Sequence, residues 1–223
     1  DPSIRGRAFG YHRAMDNAGG ILGPLIAFAV LTWHFAAIRT VFWLAAIPAV
    51  LSLLVLMVFV RDVPRPARAA APGLDLSQPL GKRFWSVMGV ILLFTLGNST
   101  DAFLLLRASQ LGVPVALAPI LWAALHVVKT ASNVPGGVLS DRIGRRPTLI
   151  AGWLLYAAVY LGFARATATW HAWALFGLYG LFFGLTEGSE RALVADLVSL
   201  ERRGTAFGWY NLAIGIGALP ASL

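Results

Sequence analysis

The stretch GGVLSDRIGRRP, residues 136–147, crowds Asp141, Arg142, Arg145 and Arg146 into one short turn between two long apolar runs. Four charges are expensive inside hydrocarbon and cheap at its edge. The rest of the chain favours the edge of a membrane. Of 223 residues, 58% are hydrophobic and 13% charged, against about 25% charged in a soluble domain. The apolar residues fall in blocks of about twenty, the number of helical residues that crosses about 30 Å of hydrocarbon. The expected fold class is an all-α membrane protein.

Working outward from the turn, seven spans are expected: 9–31, 38–60, 84–106, 114–138, 147–165, 171–198 and 205–223. The connections between them alternate in character. One set holds Arg5, Arg7, Arg13, Arg61, Arg65, Arg68, Lys82, Arg83, Arg142, Arg145, Arg146, Arg202 and Arg203, most of the 18 basic residues. The opposite set holds Arg39 and Arg165, with Arg107 near its edge. Basic loops stay cytoplasmic, so the first set is expected to face inward. The other side carries Trp33, His34, Trp170, His171 and Trp173, suited to an interfacial aromatic belt. The net charge of +8 would suit nucleic acid, but its confinement to connections argues against that partner. There is no cysteine to report on redox compartment. The chain starts at Asp1 with no methionine and no visible signal peptide, and reads as a fragment.

Two features organise the chain. Residues 61–83, RDVPRPARAAAPGLDLSQPLGKR, are rich in proline, alanine and charge and read as a linker between two bundles. RGRAFGYHRA at 5–14 recurs as RGTAFGWYNL at 203–212, with Gly6, Ala8, Phe9 and Gly10 matched by Gly204, Ala206, Phe207 and Gly208. Both copies stand where a basic loop meets a span. The two spans are six apart, and parallel six-helix repeats mark one class of secondary transporter.

With Gly137, Asp141, Arg142, Gly144, Arg145 and Arg146 in place, the opening stretch resembles the loop signature G-x-x-x-D-R-x-G-R-R/K of the major facilitator superfamily. That resemblance implies twelve helices in two bundles, with the signature between helices two and three and again between eight and nine. It makes the seven spans helices five to eleven. Residues 1–60 become the last two helices of the N-terminal bundle, 61–83 the cytoplasmic central loop, and 84–223 a C-terminal bundle cut before its last helix. Gly144 permits a tight reversal with positive φ, and Pro147 fits the first turn of the next helix. Arg145 and Arg146 hold the loop at the anionic inner surface. Asp141 is expected to accept from a neighbouring helix start, and Arg145 or Arg142 to pair with Asp196. In the family such contacts form a latch that holds one conformation.

Polar residues within spans mark the candidate pathway. Asn98, Ser99, Thr100 and Asp101 follow Gly97 and either interrupt the helix at a transport site or end it in outer water, with Asp101 pairing Arg107. His126, Lys129 and Asn133 share a helical face, with His126 either a proton relay or a buried histidine satisfied by a neighbour. Lys129 lies at a depth that matches Glu187, so a Lys129–Glu187 or Lys129–Glu190 pair is expected. Such a pair either binds a proton or orients a charged substrate, or is a static ion pair that fixes packing, with Glu190–Arg191 joining the inner latch; Glu187→Gln should uncouple flux from pH if Glu187 carries the proton. His12, Arg13 and Asp16 serve either gating or solvation at the inner surface. Gly19, Gly23 and Pro24 resemble part of the family's helix-five antiporter signature, G-x-x-x-G-P-x-x-G-G, although Ala27 and Phe28 stand where its last glycines belong. The glycines would allow close helix contact, and Pro24 a kink.

No phosphate loop, zinc spacing or nucleophile elbow occurs, so no catalytic residue, metal or cofactor is expected. The expected function is proton-coupled export of a small organic or toxic compound by alternating access, in a multi-pass protein of the bacterial inner membrane. Its partners would be that solute, protons and the lipid bilayer, with the protein a monomer. Proton-coupled nutrient uptake and a non-transporting sensor of the same fold are the alternatives.

Overall fold

The computed structural model describes residues 2–32, 38–61, 80–98 and 100–221. Trp33, His34, Ser99 and most of the linker, including Arg65 and Arg68, lie outside them. Eight helices carry almost all of the described chain: α1 (Arg5–Thr32), α2 (Ile38–Phe59), α3 (Lys82–Leu96), α4 (Asp101–Gln110), α5 (Ala118–Ile143), α6 (Arg145–Arg165), α7 (Thr169–Asp196) and α8 (Arg203–Ala221). Each expected span is helical, but the third is two helices. α3 stops at Gly97, and α4 restarts behind Thr100, whose hydroxyl faces the Ala102 N–H at 3.5 Å. A short polar run without apolar anchors gives the chain a place to leave the helix. Lys82 and Arg83, expected at the end of the linker, belong to α3.

Among the described residues, four segments are long and apolar enough to cross a membrane on length and composition alone: Arg39–Phe59, Lys82–Gln110, Val115–Ile143 and Arg145–Arg165. α1 and α7 are 28 residues each and carry their charges at one end, Arg5 to Asp16 in α1 and Glu187 to Asp196 in α7. α2 presents apolar side chains all round, from Phe42 to Phe59, as a membrane helix does.

The packing is built on α5 and α7. α1 runs antiparallel along both, and α6 packs on α7. Two apolar clusters hold the bundle. One joins α4 to α7 through Leu104, Leu121, Leu125, Phe163, Phe176 and Tyr179. The other joins α3, α7 and α8 through Phe84, Met88, Ile91, Val194 and Ala206. The two repeat copies open α1 and α8 at Arg5 and Arg203, and their Phe9 and Phe207 rings meet with centroids 5.8 Å apart.

Candidate functional site

At the arginine-rich end the signature closes a ring of contacts over four helices. Gly144 turns α5 into α6 at φ +101°, a conformation glycine adopts without strain. Pro147 sits in the first turn of α6. The Asp141 carboxylate accepts the backbone N–H groups of Gly6 at 2.9 Å and Arg7 at 2.8 Å, in the first turn of α1. Those N–H groups have no partner within their own helix, and the dipole there favours an anion. Arg145 ion-pairs with Asp141 and donates from Nε to Asp196 at 3.1 Å. Arg5 ion-pairs with Asp196 in turn and reaches the Ala195 carbonyl at 3.3 Å. The ring thus runs from α1 through α7 and α6 to α5 and back. It forms only because α1 lies flat on α5: a methyl group on Gly137 would stand 2.2 Å from the Gly6 carbonyl oxygen. Arg142 and Arg146 stay exposed outside the ring.

Two turns deeper along α1 lies a second cluster. Glu187 of α7 receives Arg13 at both oxygens, from Nε at 3.0 Å and Nη2 at 2.7 Å, the strong bidentate geometry. Asn17 donates to the same carboxylate at 3.1 Å. Lys129 of α5 reaches it at 3.5 Å while its ammonium sits 3.7 Å from the Phe183 ring centroid, a favourable place for a cation. Asp16 takes the remaining edge of Arg13 at 3.0 Å, with His12 at 3.8 Å from it. One carboxylate therefore ties α1, α5 and α7 together.

Beside it opens a cavity of about 310 Å³ lined by Asn98, Glu187, Glu190, Arg191, Tyr210 and Asn211 among others. Glu190 accepts the Tyr210 hydroxyl at 2.9 Å. Asn98 Oδ1 is buried with no hydrogen-bond partner among the described residues. The break between α3 and α4 borders this cavity and is held from within the bundle: Tyr179 donates to Asp101 at 2.6 Å and Tyr156 to the Gly97 carbonyl at 3.4 Å.

The sequence profile of the Major Facilitator Superfamily matches residues 1–222. The chain belongs to that superfamily. An uncharacterised MFS-type transporter of Methanocaldococcus jannaschii is 32% identical over 228 residues, covering 100% of this chain and 57% of that protein. An uncharacterised protein of Mycobacterium tuberculosis is 28% identical over 225 residues, covering 97% of the chain and 54% of the relative. The multidrug resistance protein MdtH of Cronobacter sakazakii is 33% identical over 111 residues, covering 46% of the chain and 28% of its own length. The chain spans about half the length of the curated relatives it matches. No solved structure matches it. The all-helical fold is the major facilitator fold, the protein is a multi-pass membrane protein, and the superfamily is one of transporters, not enzymes.

Within this major facilitator chain, several expected contacts fall differently. Lys129 pairs with Glu187 and not with Glu190. Asp101 meets Tyr179 and not Arg107, whose guanidinium instead caps the end of α6 at the Phe163 and Ala166 carbonyls, 3.2 and 2.9 Å away. A helix end with open carbonyls outcompetes a carboxylate that already has a phenol. Of the two readings of His126, the geometry matches the neighbour-satisfied histidine: Nδ1 lies 3.0 Å from the Trp122 carbonyl and the ring wedges against Gly20. Asn133 is fully buried, both amide atoms without a partner among the described residues, with its backbone pressed on Gly10. Gly19 and Gly23, expected at close contacts, have open space where a methyl group would go; the tight approach is at Gly20. Pro24 lies inside a continuous α1.

The sequence reading left Arg13 at the inner surface and passed over Asn17. Yet Gly6, Gly10, Arg13, Asn17 and Gly20 recur at alternating steps of four and three, the spacing of one helical stripe. That stripe is the face α1 turns to α5 and α7.

Proposed function

We propose that the protein is a secondary active transporter, exporting a small organic or toxic compound in exchange for protons by alternating access. The observation that carries this reading is the make-up of the seam along α1. It is built from glycines and ion pairs, with Asp141 and Glu187 at its centre. Apolar seams stay shut. A seam of charges can part wherever water reaches it, because water replaces its partners. In this reading residues 1–60 end one bundle, 61–83 form the central loop and 84–223 belong to the second bundle. The seam then lies between bundles. Its ring of arginines would face the cytoplasm, and the cavity beside Glu187 would be the solute site, in a cell membrane such as the bacterial inner membrane. The partial likeness to a multidrug resistance protein and the Gly19–Pro24 segment favour export over uptake.

The test is flux in vesicles. The intact protein, reconstituted with an imposed pH gradient, is expected to move amphipathic organic solutes against the direction of proton flow. Solute moving with protons would assign uptake instead. No proton-linked flux across a broad solute panel would leave a sensor with the same fold.

A further inference from the structure

Two carboxylates of α7 line the cavity one helical turn apart, and their partners differ in kind. Glu187 holds two cations, Arg13 and Lys129, and the Asn17 amide. Giving it a proton would leave Lys129 inside the bundle without an anion and Arg13 with Asp16 alone, and removing one side of a buried pair is strongly destabilising. Glu190 carries no such cost. Its hydrogen bond comes from a neutral phenol, Tyr210 of α8, and among the described residues no cation forms an ion pair with it. The groups that face it are few. Trp153 stands against it from α6, Glu187 and Arg191 share its own helix, and Arg13 of α1 lines the same cavity. A carboxyl group so placed can exist neutral or ionised without a partner being stranded, and it opens on space that water can fill.

We propose that Glu190, positioned by Tyr210, takes up and releases the transported proton, and that Glu187 remains the ionised tie between α1, α5 and α7. The step is a bare proton transfer between the Glu190 carboxyl oxygen and water in the cavity; only O–H bonds form and break. This rests on the proton-coupled reading above and, of the two pathway glutamates, assigns its proton to Glu190 and not to Glu187, which the sequence favoured. Asn98 lines the same cavity, and its buried Oδ1 has no hydrogen-bond partner among the described residues.

The test reads protonation directly and needs no solute. In an infrared difference titration of the intact protein in lipid, a carboxyl carbonyl band should appear on acidification. Glu190→Gln should abolish that band and Glu187→Gln should retain it. Tyr210→Phe, which removes a donor to the ionised form, should move its midpoint to higher pH. A band that survives Glu190→Gln overturns the proposal, as does a band lost from Glu187→Gln alone. Should Glu187→Gln fail to fold, the Glu190→Gln and Tyr210→Phe titrations decide by themselves. A band assigned to Glu190 in a protein with no proton-linked flux would defeat the transport reading and keep the site.

Discussion

The ring at Asp141 and the cluster at Glu187 are built from the same residue types, yet they sit in different surroundings. The ring opens to solvent at one edge, where the Asp196 side chain is 31% exposed, while its Asp141–Arg145 pair is covered. Around Glu187 the carboxylate is 12% exposed and its Lys129 partner 10%. The ring also includes backbone, since Asp141 caps the start of α1, while the cluster is almost wholly side chain. An exposed pair contributes about 0–1 kcal/mol and is screened by salt. A buried pair is costly to form and costlier to break from one side. The two regions therefore divide the work: the ring sets where α1 begins against its neighbours, and the cluster decides whether α1 is held.

Breaking the cluster should have the largest effect. Glu187→Gln strands Lys129, leaves Arg13 with Asp16 alone, and should cost the intact protein about 3 kcal/mol of unfolding free energy. Replacing Arg13, Lys129 and Glu187 together by methionine should recover most of it, because the one charge then left without its partner, Asp16, is exposed to solvent. Next comes the contact that both regions need. A methyl group at Gly10 would stand 2.3 Å from the Asn133 carbonyl oxygen, so Gly10→Ala should cost about 1–3 kcal/mol, read as a lower denaturation midpoint. Within the ring, Asp141→Ala removes a helix cap and should cost about 1 kcal/mol. At the ring's exposed edge, the cost of Asp196→Asn should shrink as salt is raised, and the Glu187→Gln cost should hold steady across the same salt series. Smallest of all, Arg142→Gln lies outside the ring and should stay within about 0.5 kcal/mol of the native protein.

The bundle was legible because its signals are local. Span length, the placement of arginines and the turn at residues 136–147 each need only neighbours in sequence. Asp141, Arg145 and Asp196 were legible for the same reason, since all lie at helix ends where charge has few other places to go. The Lys129–Glu187 pair was reachable from depth. Arg13 was not recognised, because its closeness to Glu187 depends on α1 lying across α5 and α7. Glycines carry that docking: Gly6 and Gly10 on α1, and Gly180, Gly184 and Gly188 spaced four apart on α7, the first two against α5 and the last against Gly10. The Glu190–Tyr210 and Asp101–Tyr179 bonds were missed for a related reason. Tyrosines amid apolar runs read as core, and only the fold reveals which of them points its hydroxyl at a carboxyl group.

The account turns on Glu187 joining α1 to the helices it crosses, and a double-mutant cycle between Arg13→Met and Glu187→Met measures that join most directly. Unfolding free energies of the intact protein in detergent should show a coupling of about 2 kcal/mol or more, within the range for residues in contact. Costs that simply add, to within about 0.5 kcal/mol, would mean that the two side chains do not meet and that α1 is held by something else.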